Sequence, residues 1–204
     1  MTDYEPELDR QIETLLTKGY PALAGLDEAA FTTRLEPLRA LLPDVEVSEE
    51  SHLPLLLVVP HTLVPTVAAV ERFEVRGQAG WTDMADEIGS YRPIEGVEVP
   101  GGPYLLVDVS TGPETLNVPP GDALPMIHAA GRTPLTVDEG VALVTHLPES
   151  LTEHNAFQAV GSRATNKRIP SFWMSKGAPR LGWCWEGNPH TWLGSASAAK
   201  RLTD

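Results

Sequence analysis

Proline and glycine interrupt this chain too often for long regular elements. There are 19 prolines and 17 glycines among 204 residues, together about 18% against a usual share of roughly 12%. Proline fixes φ and removes a backbone donor, and glycine lets the chain turn sharply. Short elements joined by ordered loops are therefore expected. Apolar residues make up 42% of the chain, enough for an ordinary core. Runs such as Leu55–Val59 and Tyr104–Val109 require burial. The length suggests one domain, with a helical N-terminal region over residues 1–50 and an α+β domain over 51–204.

Residues 5–18 carry Leu8, Ile12, Leu15 and Leu16 on one helical face, and Gly19 is placed to stop the helix. Residues 27–42 predict a second helix. Asp27 caps it, and Phe31, Leu35, Leu38 and Leu42 share a face. Pro37 is expected to kink or split it. Leu53–Val59, closed by Pro60, is a continuous apolar run of the kind buried on both faces of a sheet. Arg72–Arg76 and Gly80–Met84 flank Gly77-Gln78-Ala79 and predict a hairpin. Pro103–Val109 predicts the next strand, and Gly121–Ala130 a helix with Asp122 near its start. Thr136–Leu147 predicts a helix opened by the capping box Thr136-Val137-Asp138-Glu139 and ended by Pro148. Helices, strands, helices, strands in that order give an α+β fold with a small, mostly antiparallel sheet, not alternating βαβ units.

The C-terminal end concentrates the rare residues. Four of the five tryptophans fall between Trp173 and Trp192, and the single cysteine, Cys184, sits between two of them. Pro170–Met174 and Leu181–Glu186 predict a hairpin joined by Lys176–Arg180. Strand alternation puts Trp183 and Trp185 on one face, and Cys184, Gly182 and Glu186 on the other. Trp173 lies opposite Phe172 and Met174. Gly187-Asn188-Pro189 is a turn that delivers His190, Thr191 and Trp192 into a loop. Ser195–Leu202 predicts a short helix.

Only two of the 28 acidic residues but seven of the 15 basic ones fall after Ser162. The net charge of −13 disfavours nucleic acid and anionic lipid as partners. One reading of the uneven charge is that the two ends complement each other within the fold. One cysteine excludes an intrachain disulfide and any multi-cysteine zinc site. The histidines at 52, 61, 128, 146, 154 and 190 form no ligand-spaced pair, so no metal site is expected. Neither a phosphate-binding glycine loop nor a G-x-S-x-G elbow occurs, and no cofactor is implied. The start of the chain lacks a signal-peptide pattern, and no apolar run approaches the roughly 20 residues of a membrane span. A soluble cytoplasmic protein is expected, of an oligomeric state the sequence does not specify.

Three residues carry catalytic candidacy. Cys184 needs a base or positive field to become a thiolate, but a cysteine between tryptophans also serves as a small hydrophobe. His190, on a loop, has the chemistry of a general base. Asp108 ends a predicted strand, although Asp-Val-Ser-Thr-Gly is also an ordinary turn. The ligand-binding candidates are Trp173, Arg180, Trp183, Trp185, Asn188, His190 and Trp192. Indole faces stack on planar groups and attract cations. The leading expectation is a binding module for a partner protein or a small ligand, anionic ones included. The alternative is an enzyme centred on His190, with Cys184 or Asp108 as the second group.

PGGPYLLVDVSTGPETLNVPP at 100–120, GRTPLTVDEGVALVTHLPE at 131–149 and PRLGWCWEGNPHTWLGSAS at 179–197, with LLVVP at 56–60 as a weaker echo, resemble an actinobacterial family of cytoplasmic proteins known as a domain of unknown function. The resemblance covers most of the chain from about residue 55 and implies no activity. Trp81, in Gly80-Trp81-Thr82-Asp83-Met84, departs from it, since a small aliphatic residue is expected there. The departure bears on local packing.

Overall fold

The computed structural model describes residues 3–43, 53–152 and 155–203. The boundary drawn between residues 50 and 51, and His52 and His154, lie outside them. Local rules account for the N-terminal helices. α1 (Glu5–Thr17) buries Leu8, Ile12 and Leu15. Gly19, at φ 74°, ends it and donates its N–H to the Leu16 carbonyl. α2 (Tyr20–Leu23) is a single turn. α3 (Glu28–Leu35) starts at Asp27, whose carboxylate accepts from the Ala30 N–H at 2.7 Å. Around Pro37 the chain tightens into a 3-10 segment, Glu36–Leu41. Proline, lacking a donor, splits the 27–42 helix.

The strands are short, as the proline and glycine content requires. β1 (Leu53–Val58) precedes α4 (Thr66–Val70). β2 (Glu74–Val75), β3 (Gln78–Ala79), β4 (Trp81–Thr82) and β5 (Arg92–Pro93) lead to β6 (Tyr104–Ser110). α5 (Pro120–Ala129), β7 (Thr133–Pro134) and α6 (Val137–His146) follow. The chain closes with β8 (Ala156–Gln158), β9 (Ser162–Arg163), β10 (Arg168–Ser175), β11 (Ala178–Trp185), β12 (Leu193–Ser195) and β13 (Ser197–Leu202). One sheet has the order β1-β6-β13-β7 and another β12-β8-β10-β11-β4, with the pairs β2-β3 and β5-β9 apart. Most pairings are antiparallel; β11-β4 and β12-β8 are parallel. The fold is α+β in a single compact domain. One apolar core takes in Leu8, Phe31, Leu56, Leu106, Leu143 and Phe172 alike.

Three expectations change. The 72–84 hairpin turns at Arg76-Gly77, both at positive φ, and pairs Glu74–Val75 with Gln78–Ala79. Its expected second strand leaves: Trp81–Thr82 pairs with β11. Gly80 marks the break, because a Cβ there would lie 2.1 Å from the Val70 carbonyl oxygen. The C-terminal hairpin turns in two residues, Lys176-Gly177, at φ 55° and 80°. That geometry matches strand twist, so the strands extend further than the 176–180 connection allowed. The Ser195–Leu202 helix is absent. Ser197–Leu202 is instead an interior strand between β6 and β7. Backbone ladders on both sides override its Ala-rich helix propensity.

α6 is buried along its whole length. The glutamate half of its capping box forms, with Glu139 accepting the Thr136 N–H at 2.6 Å. The same carboxylate binds Arg201 of β13 at 2.6 and 2.8 Å and the Tyr104 hydroxyl at 2.9 Å. A buried ion pair is thus tied to a helix start, a central strand and the end of the chain.

β1 lies at a sheet edge yet Leu55 to Val58 are fully buried. An unpaired edge of that kind leaves backbone groups in apolar surroundings. Gln11 of α1 resolves this as a surrogate strand. Its Nε2 donates to the Leu55 carbonyl at 2.7 Å and its Oε1 accepts the Leu57 N–H at 2.6 Å. Gln11→Leu strands both groups, so urea unfolding should show a loss of about 2–4 kcal/mol.

His146, at the end of α6, is enclosed by Leu15, Tyr20, Leu57, Val59, Val141 and Ala142. Burial, and then the nearby Arg10 charge, push its pKa from 6.5 down to about 3. Below pH 6.5 the unfolded chain takes up a proton that the folded chain refuses until pH falls to about 3. Stability therefore falls across that window, by up to about 1.4 kcal/mol per pH unit. Urea unfolding of wild type and His146→Leu between pH 6 and 4 should show that extra slope in the wild type only.

Candidate functional site

The β10–β11 ladder pairs Pro170 with Trp183, Arg168 with Trp185 and Trp173 with Arg180. Residues opposite each other share a face. The tryptophans therefore separate into two groups on opposite sides of one hairpin. Trp183 and Trp185 share a face, as strand alternation required, and Cys184 lies on the other.

On the first face the two indoles meet edge to face, with centroids 4.9 Å apart. The Arg168 guanidinium covers Trp183 at 4.1 Å and Trp185 at 5.9 Å. Glu87 holds that guanidinium with both carboxylate oxygens, each at 3.0 Å. Trp185 is 46% exposed, the largest value among the exposed bulky apolar side chains of the described residues. Leu116 and Met126 are the next such side chains, and they sit on neighbouring segments. The Asn117 N–H donates to the His190 carbonyl at 2.8 Å, and the Gly121 N–H at the start of α5 donates to the Glu186 carbonyl at 3.1 Å. The 113–129 segment is thereby fixed beside the end of β11.

On the second face Arg180 lies between two indoles, 4.7 Å from Trp81 and 4.6 Å from Trp173. Asp83 pairs with it, and this ion pair draws the Asp83 carboxyl below its usual range. Lys176 approaches Trp81 at 5.7 Å. Gly182 makes room, since a Cβ there would fall 2.3 Å from the Trp173 ring. Trp81, the departure from the family resemblance, is thus a structural partner of Arg180.

His190 and Trp192 form a third group, edge to face at 5.5 Å. Burial lowers the His190 pKa, and its Nε2 has no hydrogen-bond partner among the described residues. Asn188 closes the 185–188 turn, donating its N–H to the Trp185 carbonyl at 3.1 Å. Cys184 is partly buried, and desolvation raises its pKa despite a Ser171 hydrogen bond. Asp108 sits far from both in role: it holds φ 54° inside β6, with Arg132 binding its carboxylate at 2.6 Å and its carbonyl at 2.5 Å. The candidates named from sequence therefore do not converge on one point. Trp183 and Trp185 share one face of the hairpin, Trp173 with Arg180 the other, and His190 with Trp192 form a separate pair. Sequence reasoning missed Glu87, which holds Arg168 beside the indoles. It also missed His61 and Asp138, whose side chains meet at 2.7 Å. No local spacing joins them.

A groove of about 600 Å³ lies between α1 and the β2–β3 hairpin, lined by Arg10, Lys18, Arg72 and Phe73 among others and by none of the tryptophans. Among the described residues no group of three His, Cys, Asp or Glu is placed to hold a metal. No helix among them is long and apolar enough to cross a membrane.

Residues 14–204 match the model of a family of unknown function (DUF5701), and the chain belongs to that family. The match begins well before the motifs near residue 55. No curated protein and no solved structure matches the chain.

The chemistry of Cys184 yields a direct check. A desolvated, raised thiol should alkylate slowly. Iodoacetamide at pH 7.5 should label the folded protein at least about tenfold more slowly than the protein in urea. Equal rates would show an accessible thiol of ordinary reactivity, and a faster rate in the folded protein an activated thiolate.

Proposed function

We propose that this family member is a binding module whose recognition surface is the Trp183–Trp185 face of the C-terminal hairpin, extended by the 186–192 turn with Asn188 and His190. The partner class is protein. The observation that carries this reading is Trp185, a large indole left exposed while its neighbour Trp183 and the Arg168 guanidinium hold it in place. Aromatic and arginine side chains supply most of the energy of protein interfaces. A rigid indole also loses little conformational entropy on binding. Leu116 and Met126 are exposed apolar side chains of the segment whose backbone is tied to the 186–190 turn.

A small anionic ligand is the weaker version. Arg168 is already paired with Glu87, and Arg163 lies 3.7 Å from Glu186. An anion would have to displace those carboxylates. The His190-centred enzyme gains no support from geometry, because Cys184 is a desolvated thiol with a raised pKa and Asp108 is committed to Arg132.

The test is a quantitative pull-down from native extract. A partner captured by the wild type should be lost with Trp185→Ala and weakened with His190→Ala. A central indole contributes about 2 kcal/mol or more at an interface, roughly a thirtyfold loss of affinity. Trp185→Ala should lose no more than about 1.5 kcal/mol of stability, the worth of its edge-to-face contact with Trp183, and so stay folded. Undiminished capture by a folded Trp185→Ala protein would remove this surface from consideration.

A further inference from the structure

α1 and α2 are fastened to the rest of the fold by side chains. Among the described residues, the backbone hydrogen bonds of these two helices close within the first 26 residues. Gln11 holds Leu55 and Leu57 of β1, and Arg10 donates to the His146 carbonyl at 3.2 Å. The Tyr20 and Thr145 hydroxyls meet at 3.1 Å, Lys18 donates to the Arg72 carbonyl at 3.0 Å, and Asp9 pairs with Arg39 at 2.6 Å. β1 beneath them is laddered to β6 from Leu53 to Val58. The two helices can therefore part from β1 and α6 without breaking a backbone ladder.

His146 lies under this attachment. Its enclosure is shared between Leu15 of α1, Tyr20 of α2, Leu57 and Val59 on the β1 side, and Val141 and Ala142 of α6 itself. The cavity there holds about 10 Å³, the limit for one water, so a charged ring cannot be hydrated in place. Neither ring nitrogen makes a well-aligned hydrogen bond among the described residues. Burial is the main obstacle to a proton, Arg10 adds to it, the Leu57 backbone works the other way, and Lys18 opposes the proton again. α2 contributes the Tyr20 phenol, which burial pushes up to about 12 and so keeps neutral. Glu7 faces Arg10; burial works against its ionised form, but the bonds from Arg10 and Gln11 outweigh it and lower its pKa.

The end of α6 has two candidate cations. In the closed arrangement Arg10 serves the His146 carbonyl. With α1 away, a protonated His146 stands at the same helix C-terminus, where positive charge is favoured. Complete unfolding would lose that compensation together with α6. Protonation thus favours a partial opening, in which the helix persists and the ring meets water.

We propose that α1 and α2 form an acid-operated strap, which lifts from β1 and α6 when His146 takes up a proton and uncovers the outer edge of β1 while both sheets stay folded. The ring takes its proton near 6.5 when open and near 3 when closed. The opening constant should therefore be about 25-fold larger at pH 5 than at pH 7.

Amide hydrogen exchange at pH 7 and pH 5, expressed as protection factors so that the intrinsic pH dependence cancels, tests the strap. In the wild type, the amides of α1 and that of Leu57 should open more readily than the ladder amides of β10 and β11 at both pH values. Their opening constant should rise about 25-fold on acidification. In His146→Leu the same amides should change less than about threefold. The wild-type comparison stands even where the variant does not fold. Equal protection of α1 and the β10–β11 ladder would show that only global unfolding exposes the ring. An α1 opening that ignores pH in the wild type, or keeps its rise in His146→Leu, would show fraying that His146 does not control. Any of these three results would overturn the proposal.

Discussion

The fold depends on a five-residue seam, Gly194 to Ala198, that carries the chain from one sheet into the other. β12 ends at Ser195 and β13 begins at Ser197, so Ala196 alone makes the crossing. It is held on both sides, donating to the Gln158 carbonyl and accepting from the Leu135 N–H. There is no volume to spare. A Cβ at Gly194 would lie 2.4 Å from the carbonyl oxygens of Thr111 and Gly112, and one at Gly112 would lie 2.2 Å from that of Ser195. The Ser195 N–H donates to the Thr115 hydroxyl at 2.7 Å, and Ser197 accepts from Arg132 at 2.8 Å. Larger side chains would force the sheets apart, and overpacking of this kind costs about 1–3 kcal/mol per site. The small residues are there for their volume.

That same demand explains where the sequence misleads. Ser-Ala-Ser-Ala-Ala-Lys looks helical because alanine is the best helix former. Here it is chosen to fit between backbones, a requirement set by residues 60 to 90 positions away. Local signals elsewhere are legible because their causes are local. Asp27 caps the helix that follows it, Gly19 stops the one before, and Pro37 splits the next. In the hairpin, alternation alone separates Cys184 from Trp183 and Trp185. The surroundings of the indoles are not legible, since Glu87 reaches Arg168 and Trp81 reaches Arg180 through pairings that no spacing reveals. The pair of His61 and Asp138 is invisible for the same reason, although each half stands beside a recognisable punctuation mark, Pro60 and the α6 cap.

The segregation of charge along the chain resolves within the fold. Arg168 pairs with Glu87, Arg180 with Asp83 and Arg201 with Glu139. Each joins the basic C-terminal end to a carboxylate of the acidic body. The burial of these pairs differs, and so does their worth. Glu139 is fully buried and Arg201 nearly so, so removing either would leave an uncompensated charge, at a cost of about 3–5 kcal/mol. Arg180 and Arg168 are more open, and their contribution lies as much in stacking on indole faces as in charge.

This pairing decides what the C-terminal surface offers to another molecule. With its arginines neutralised by the chain's own carboxylates, the hairpin end does not present the unbalanced positive field that draws polyanions. What it presents is indole area. Trp183 and Arg168 spend their own surface fixing Trp185, so the exposed ring is already in one orientation before contact. An interface built on it gains from preorganisation, because the ordering that usually opposes association has taken place in the free protein. On the hairpin's other face Trp81 and Trp173 enclose Arg180, each with a ring face against the guanidinium. One ladder of eight residue pairs thus carries a closed stack on one side and an open one on the other. The open one carries Trp185, the most exposed indole of the described residues.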